Sequence, residues 1–296
     1  MKVARYTYQG TESFGVLKDE NHIVDLPKLS CLRKNVPANI NDLISLGLKA
    51  EALLKELTEN LSNRERKESL LETGKVVFKA PVADPPKIIC LGLNYKDHAE
   101  EAEAAVPDEP VIFMKPRTAI IGPEEPIVKP GFVQKLDYEV EMAIVIGKKG
   151  KNIPVSEAEN HIFGFTVFND VSARDIQFKD GQWTRGKSFD SFAPMGPCIT
   201  TLTQIGDPTN LRLYTRVNGV TRQNSSTKNM IFNVYEIIHR LSRVMTLEPC
   251  DIIATGTPGG VAAFMKPEPR FLQPGDTVEV EVEKIGVLRN PVTEET

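Results

Sequence analysis

The sequence is poor in the residues that make the most recognisable sites. It holds four histidines, four cysteines and one tryptophan in 296 residues. The cysteines stand at 31, 90, 198 and 250, too far apart for a CxxC pair or a zinc knuckle. They read as reduced and mostly buried. A long apolar run is missing too. The stretch IIATGTPGGVAAF (252–264) is short and glycine-rich, well under the about 20 residues a spanning helix needs, so no membrane partner is expected. Neither charge dominates: 36 Lys and Arg against 40 Asp and Glu give a net charge of −4. That balance argues against a nucleic-acid partner, which would call for a basic face. The P-loop and dinucleotide spacings GxxxxGK[ST] and GxGxxG are absent. The opening residues MKVARYTYQG show no apolar core and no Arg/Ser-rich transit character, so the expected compartment is the cytoplasm.

What remains is an ordinary globular composition, 41% hydrophobic and 26% charged. The length suits one large domain or two modest ones. Short β-like runs, VARYTYQ, SFGVLK and HIVDL, open the chain. Leucines three and four apart then predict helix over 40–57 and again over 63–71. The segment KAPVADPPK (79–87) carries three prolines and reads as an extended linker. The expected division is a small N-terminal domain, 1–80, and a larger one, 85–296. The second part is β-rich. KIICLGL, VIFMK, DYEVEMAIVIG and FGFTVFND read as strands. Asn218-Gly219 between LRLYTRV and VTRQN is a type I′ hairpin signal. TVEVEVEKIG (277–286) alternates as a half-buried strand, and 229–245 has an amphipathic helical face. Strands and helices do not alternate, so the fold class is α+β rather than a parallel α/β architecture.

The chemistry concentrates in a few segments. In a strand, residues i and i+2 share a face, so Glu139 and Glu141 are neighbours on a run that is otherwise apolar on both sides. Buried carboxylates need compensation, and a divalent ion would supply it. The alternative is a strand end where both reach water or pair with lysines. Asp170, closing the next apolar strand, would add a third carboxylate. An all-oxygen triad favours Mg²⁺, Mn²⁺ or Ca²⁺ over Zn²⁺. In GLNYKDHAEE (92–101), His98 and Glu101 stand at i, i+3 if the segment is helical. A carboxylate beside an imidazole suits a general base. The alternative is a solvated helix that happens to hold a histidine. SARDIQFKDGQWTRGKSFD (172–190) reads as a cationic loop carrying Arg174, Gln177, Arg185 and Lys187, able to hold an anion or simply face solvent. ATGTPGG (254–260) reads as a tight turn that presents the Thr257 hydroxyl.

Together GLNYKDHAEE, LDYEVEMAIVIGKKGKNI, GFTVFNDVSARDIQ, GKSFDSFAPMGPCI, RVNG and DIIATGTPGGV resemble, in order, the fumarylacetoacetate hydrolase family, in particular its domain-containing protein 2 branch. The resemblance covers roughly residues 85–296. It implies a mixed β-sandwich roll and, usually, a homodimer. It implies that Glu139, Glu141 and Asp170 bind a metal, usually Mg²⁺. His98 and Glu101 would form a dyad on a lid helix. Lys187 would contact an enolate, Gln177 and Thr257 would contact substrate, and Arg174 would support the loop beside it. The substrate class so implied is a small 2-oxo acid, whose carboxylate and keto oxygen chelate the metal while an enolate forms. The first expectation is C–C cleavage, by acylpyruvate hydrolysis or oxaloacetate decarboxylation. The alternative is keto–enol tautomerisation or isomerisation of oxaloacetate or a related unsaturated oxo-dicarboxylate.

Overall fold

In the computed structural model, which describes residues 1–295, the expected β-rich α+β architecture is present. The core is a twelve-stranded sheet. Its centre is the antiparallel pair Val140–Ile146 and Ile162–Asn169, aligned from Val140 opposite Asn169 to Ile144 opposite Phe165. Ala193–Thr201 flanks this pair on one side. Ile252–Ala254, Ile88–Gly92 and Val111–Met114 follow on the other. Val140–Ile146 is buried along its whole length, as expected for a strand covered on both faces.

Two different layers do the covering. Val140, Met142, Ile144 and Ile146 face a five-stranded sheet and the helix Val234–Val244. That helix starts at a capping box, in which Asn233 and Glu236 satisfy each other's backbone N–H groups. Ala143, Val145 and Phe168 face the other way, toward the helices of the first 60 residues. The N-terminal strands also extend the main sheet. Lys2 pairs with Thr200 and Val3 with Ile199, so Lys2–Tyr8 is hydrogen-bonded directly to Ala193–Thr201.

Several local expectations shift. The helix predicted over 40–57 is two helices, Ile40–Ser45 and Lys49–Glu59, parted at Gly47, whose φ is positive. The strand predicted over 277–286 ends at Val282, and the chain turns back into Gly286–Glu294. The Asn218-Gly219 hairpin forms as expected, with both residues at positive φ. The polar stretch 172–190 is not loop throughout: it holds the helices Arg174–Asp180 and Thr184–Lys187.

Because Leu54 packs in the same cluster as Phe168 and Ala254, Leu54→Ala should cost about 2–5 kcal/mol, felt by the whole chain. Calorimetry should show one unfolding transition shifted down. A separate early transition would mean that the N-terminal layer melts on its own.

Candidate active site

The site forms where Ile88–Gly92, Ile162–Asn169 and Ile252–Ala254 end and Val140–Ile146 begins. Strand register explains its centre. Val140 lies opposite Asn169, and one step further the Asp170 N–H donates to the Glu139 carbonyl at 3.0 Å. Glu139 stands just before the strand rather than within it, held by an N–H bond to the Asn169 side chain. Asp170 therefore faces Glu139 across the pair while Glu141 follows two residues on. Ligand oxygens of all three carboxylates lie within 4.8 Å of one another, and all three residues are buried.

Fixed groups hold these acids. Arg174 donates through Nη2 to Glu139 Oε1 (2.5 Å) and through Nε to Asp137 Oδ2 (2.8 Å). Asp137 also accepts the N–H groups of Ala262 and Ala263. Lys187 donates to Glu139 Oε2 and Asp170 Oδ2, both at 2.7 Å. The Gly256 N–H donates to Glu141 Oε2 at 2.7 Å. Gly256 has φ +94°, and a Cβ there would stand 2.8 Å from Asn94, so the approach needs glycine. Lys115, which the sequence reading did not single out, is fully buried with Nζ 2.6 Å from Asp170 Oδ1. Its three protons go to the carbonyls of Val171, Lys187 and Phe192. Four carboxylates thus meet three cations in a desolvated cluster.

The acids respond differently. Burial pushes Glu139 up, but the charges of Lys187 and Arg174 outweigh it and hold the carboxyl well below its usual range. Glu141 has no such cation against it. Burial, with Asp170 and Glu139 nearby, raises its pKa well above the ordinary value. Its Oε1 is buried without a hydrogen-bond partner. An orphaned carboxylate oxygen between two others fits a hard divalent cation, which takes oxygen donors and supplies the missing positive charge.

The helix Lys96–Glu101 lies over this cluster. His98 Nδ1 is 3.0 Å from Glu101 Oε1, and Glu101 Oε2 accepts the Gly260 N–H at 2.7 Å. With the Nδ1 proton directed at Glu101, Nε2 carries the lone pair. The helix is pinned at its start: Ser225 Oγ donates to Asp97, and Asn94 exchanges bonds with Phe232 and Thr255. Between helix and cluster is a cavity of about 80 Å³, lined on its polar side by His98, Glu139, Arg174, Gln177, Lys187 and Thr257. Leu91, Phe113, Phe178, Trp183 and Phe264 form its apolar wall.

Nine of the ten residues singled out in the sequence are therefore at or around one cavity; the tenth, Arg185, pairs with Asp180 on the surface. Arg174 is fully engaged, its remaining Nη1 donating to Gln177 Oε1 at 3.0 Å. That leaves Gln177 its N–H groups to offer. Thr257 Oγ1 accepts from Gln223 Nε2 (2.8 Å), which frees its hydroxyl proton to donate. Gln223 was also not foreseen. Its Oε1 accepts from the Val140 N–H and the Thr215 hydroxyl, tying the second sheet to the start of the central strand. The signals available were faint: a lysine ending the apolar run VIFM, and one polar residue on a hairpin strand.

The family model described as fumarylacetoacetate (FAA) hydrolase C-terminal matches residues 87–293. The chain belongs to the fumarylacetoacetate hydrolase family. A Xenopus laevis relative named as a mitochondrial oxaloacetate tautomerase is 42% identical over 93% of this chain and 84% of its own. A fumarylacetoacetate hydrolase structure from Exiguobacterium antarcticum is 38% identical, covers all of both chains and gives a TM-score of 0.84. A 5-carboxymethyl-2-hydroxymuconate delta-isomerase from Mycobacterium smegmatis is 35% identical over both whole chains, with a TM-score of 0.77. Members similar to this chain thus carry both hydrolase and isomerase names. No helix among the described residues is long and apolar enough to cross a membrane.

Glu141→Gln replaces a buried carboxyl that has no contacting cation by a neutral amide. In chelator the variant should melt no lower than the wild type, because an unpaired buried carboxylate is costly. It should also lose the gain from Mg²⁺, which for the wild type reaches about 2.7 kcal/mol at a hundred times the dissociation constant. Thermal shift with and without Mg²⁺ checks both; an equal Mg²⁺ gain in the two proteins would remove Glu141 from the site.

Proposed function

We propose that this protein is a divalent-metal-assisted keto–enol tautomerase or isomerase of small 2-oxo acids, with an oxaloacetate-type dicarboxylate as the reference substrate. The observation that carries this reading is Lys187. Its buried ammonium stands between Glu139 and Asp170 on the floor of a cavity that His98 overlooks. The tautomerase name of the Xenopus laevis relative favours the same reading. It reverses the order expected from the sequence, which put C–C cleavage first.

A divalent cation held by Glu139, Glu141 and Asp170, with Mg²⁺ the first choice, would supply a Lewis acid that favours negative charge on the substrate's 2-oxygen. The remaining steps belong to the chain. Gln177 and Thr257 offer N–H and O–H donors that orient the acid. As the C2 hydroxyl of the enol loses its proton, the Lys187 ammonium stabilises the charge left on that oxygen. His98 Nε2, its ring fixed by Glu101, takes that hydroxyl proton and passes it to C3, and the reverse direction returns it. The enol loses one proton and gains one, so the product is its keto isomer and no bond between carbons breaks. A cavity of about 80 Å³ holds on the order of half a dozen water molecules, which suits a small acid beneath a closed lid.

The His98–Glu101 pair also supports the second reading, hydrolysis of a 2,4-dioxo acid, since the same base can activate water. One assay separates the two. Oxaloacetate and acetylpyruvate are incubated with the protein and Mg²⁺, following enol absorbance, pyruvate and CO₂ together. The expected result is enol–keto equilibration faster than buffer with no matching pyruvate. Pyruvate appearing in step with enol loss would establish cleavage instead.

His98→Ala should lower the tautomerisation rate about 10²–10⁴-fold, the usual range for a lost general acid–base. Binding of oxalate, followed by calorimetry, should be kept. EDTA should silence the reaction and Mg²⁺ or Mn²⁺ restore it; restoration by Zn²⁺ alone would contradict the oxygen-donor site.

A further inference from the structure

In each carboxylate of the triad one oxygen lies against a buried group other than Lys187. Glu139 Oε1 takes the Arg174 guanidinium, and Oε2 takes the Lys187 ammonium. Glu141 Oε2 takes the Gly256 N–H, leaving Oε1 without any partner. Asp170 Oδ1 lies beside the Lys115 ammonium, and Oδ2 takes the Lys187 ammonium. The pattern is the same three times, from a helix, a loop and the residue after an edge strand.

We propose that Lys115 is a positioning residue that confines Asp170 to one ligating oxygen and so, with Arg174 and the Gly256 N–H, selects a small octahedral ion, Mg²⁺ or Mn²⁺, against Ca²⁺. Mg²⁺ demands near-ideal octahedral geometry, whereas Ca²⁺ takes six to eight oxygens and readily accepts a carboxylate through both of its atoms. A carboxylate with one oxygen occupied cannot offer that mode. The inference rests on the proposed metal role of the triad.

Lys115 suits this task because it cannot swing away. All three of its ammonium protons are spent on the carbonyls of Val171, Lys187 and Phe192. What reaches Asp170 Oδ1 is charge rather than a proton: that oxygen has no hydrogen-bond donor although Nζ is 2.6 Å away. A second cation approaching Oδ1 would meet a fixed positive charge in a medium that screens it poorly. Lys187 is placed differently. It touches Glu139 Oε2 and Asp170 Oδ2, the oxygens that face the site, and so shares them with whatever binds there. Lys115 does not line the cavity, so its removal leaves the substrate's surroundings in place.

The test is a direct binding measurement. Chelator-treated full-length wild type and Lys115→Met are titrated calorimetrically with MgCl₂, MnCl₂ and CaCl₂. A merely structural loosening weakens all three ions alike, so the readout is the ratio of Ca²⁺ to Mg²⁺ affinity. Removing a group that orients a ligand typically changes metal affinity about 10–100-fold. The ratio should therefore move toward Ca²⁺ by about tenfold or more in Lys115→Met; a smaller shift overturns the proposal. Failure of the wild type to bind any of the three ions would instead overturn the metal reading beneath it. If Lys115→Met does not fold, Lys115→Gln keeps donors for the carbonyls without the charge and is read in the same way. A wild-type crystal soaked in MnCl₂ gives an answer that needs no variant. One oxygen from each of Glu139, Glu141 and Asp170 on the ion is expected, and Asp170 bound through both oxygens overturns the assignment.

Discussion

Putting four carboxylates into the dry end of a β-sheet is the constraint on which the rest of this structure depends. Each charge so buried must be met, or it will neutralise itself or destabilise the fold. Asp137, Glu139 and Asp170 are met by the chain's own Arg174, Lys187 and Lys115. Glu141 is met only by one backbone N–H. Glu141 is thus the one carboxyl of the four with no cation in contact, which is why burial raises its pKa and leaves its Oε1 without a partner. Under the proposed metal role, a divalent ion would supply the positive charge that the chain does not place against Glu141.

The supporting framework follows from that arrangement. Arg174 can reach Asp137 and Glu139 together because the stretch after Asp170 turns at once into a helix. Asp137 in turn orders the backbone at 262–263, which carries Phe264 over the cavity, its ring 5.9 Å from that of His98. Gln223 joins the far sheet to both the Val140 N–H and the Thr257 hydroxyl. The apolar layers on the two faces of Val140–Ile146 hold this polar end at a fixed height.

What could be read in the sequence was what short range controls. The two-residue period put Glu139 and Glu141 together, the helical period paired His98 with Glu101, and Asn218-Gly219 marked its own turn. The polar stretch 172–190 misled because its residues are buried by partners elsewhere: Arg174 looks like a surface cation until Asp137 and Glu139 are beside it. Lys115 and Gln223 could not be seen for the same reason. Apart from Thr215 on the facing hairpin strand, their partners lie 34 to 83 positions away, and nothing in VIFMK or VTRQN points to them. The pairing of Lys2 with Thr200 is longer still, and so the joining of the first strands to the central sheet left no local trace.

The helix Lys96–Glu101 carries both members of the His98–Glu101 pair, while the triad and Lys187 belong to the immobile sheet and the helices beside it. In the proposed reaction, charge stabilisation and proton transfer would therefore be mounted on separate parts. With the helix lifted, the cavity floor would still attract an oxo acid but would hold no imidazole to exchange its proton. Capture and reaction would then be successive events in the proposed reaction, and an acid leaving before the helix closed would leave unchanged.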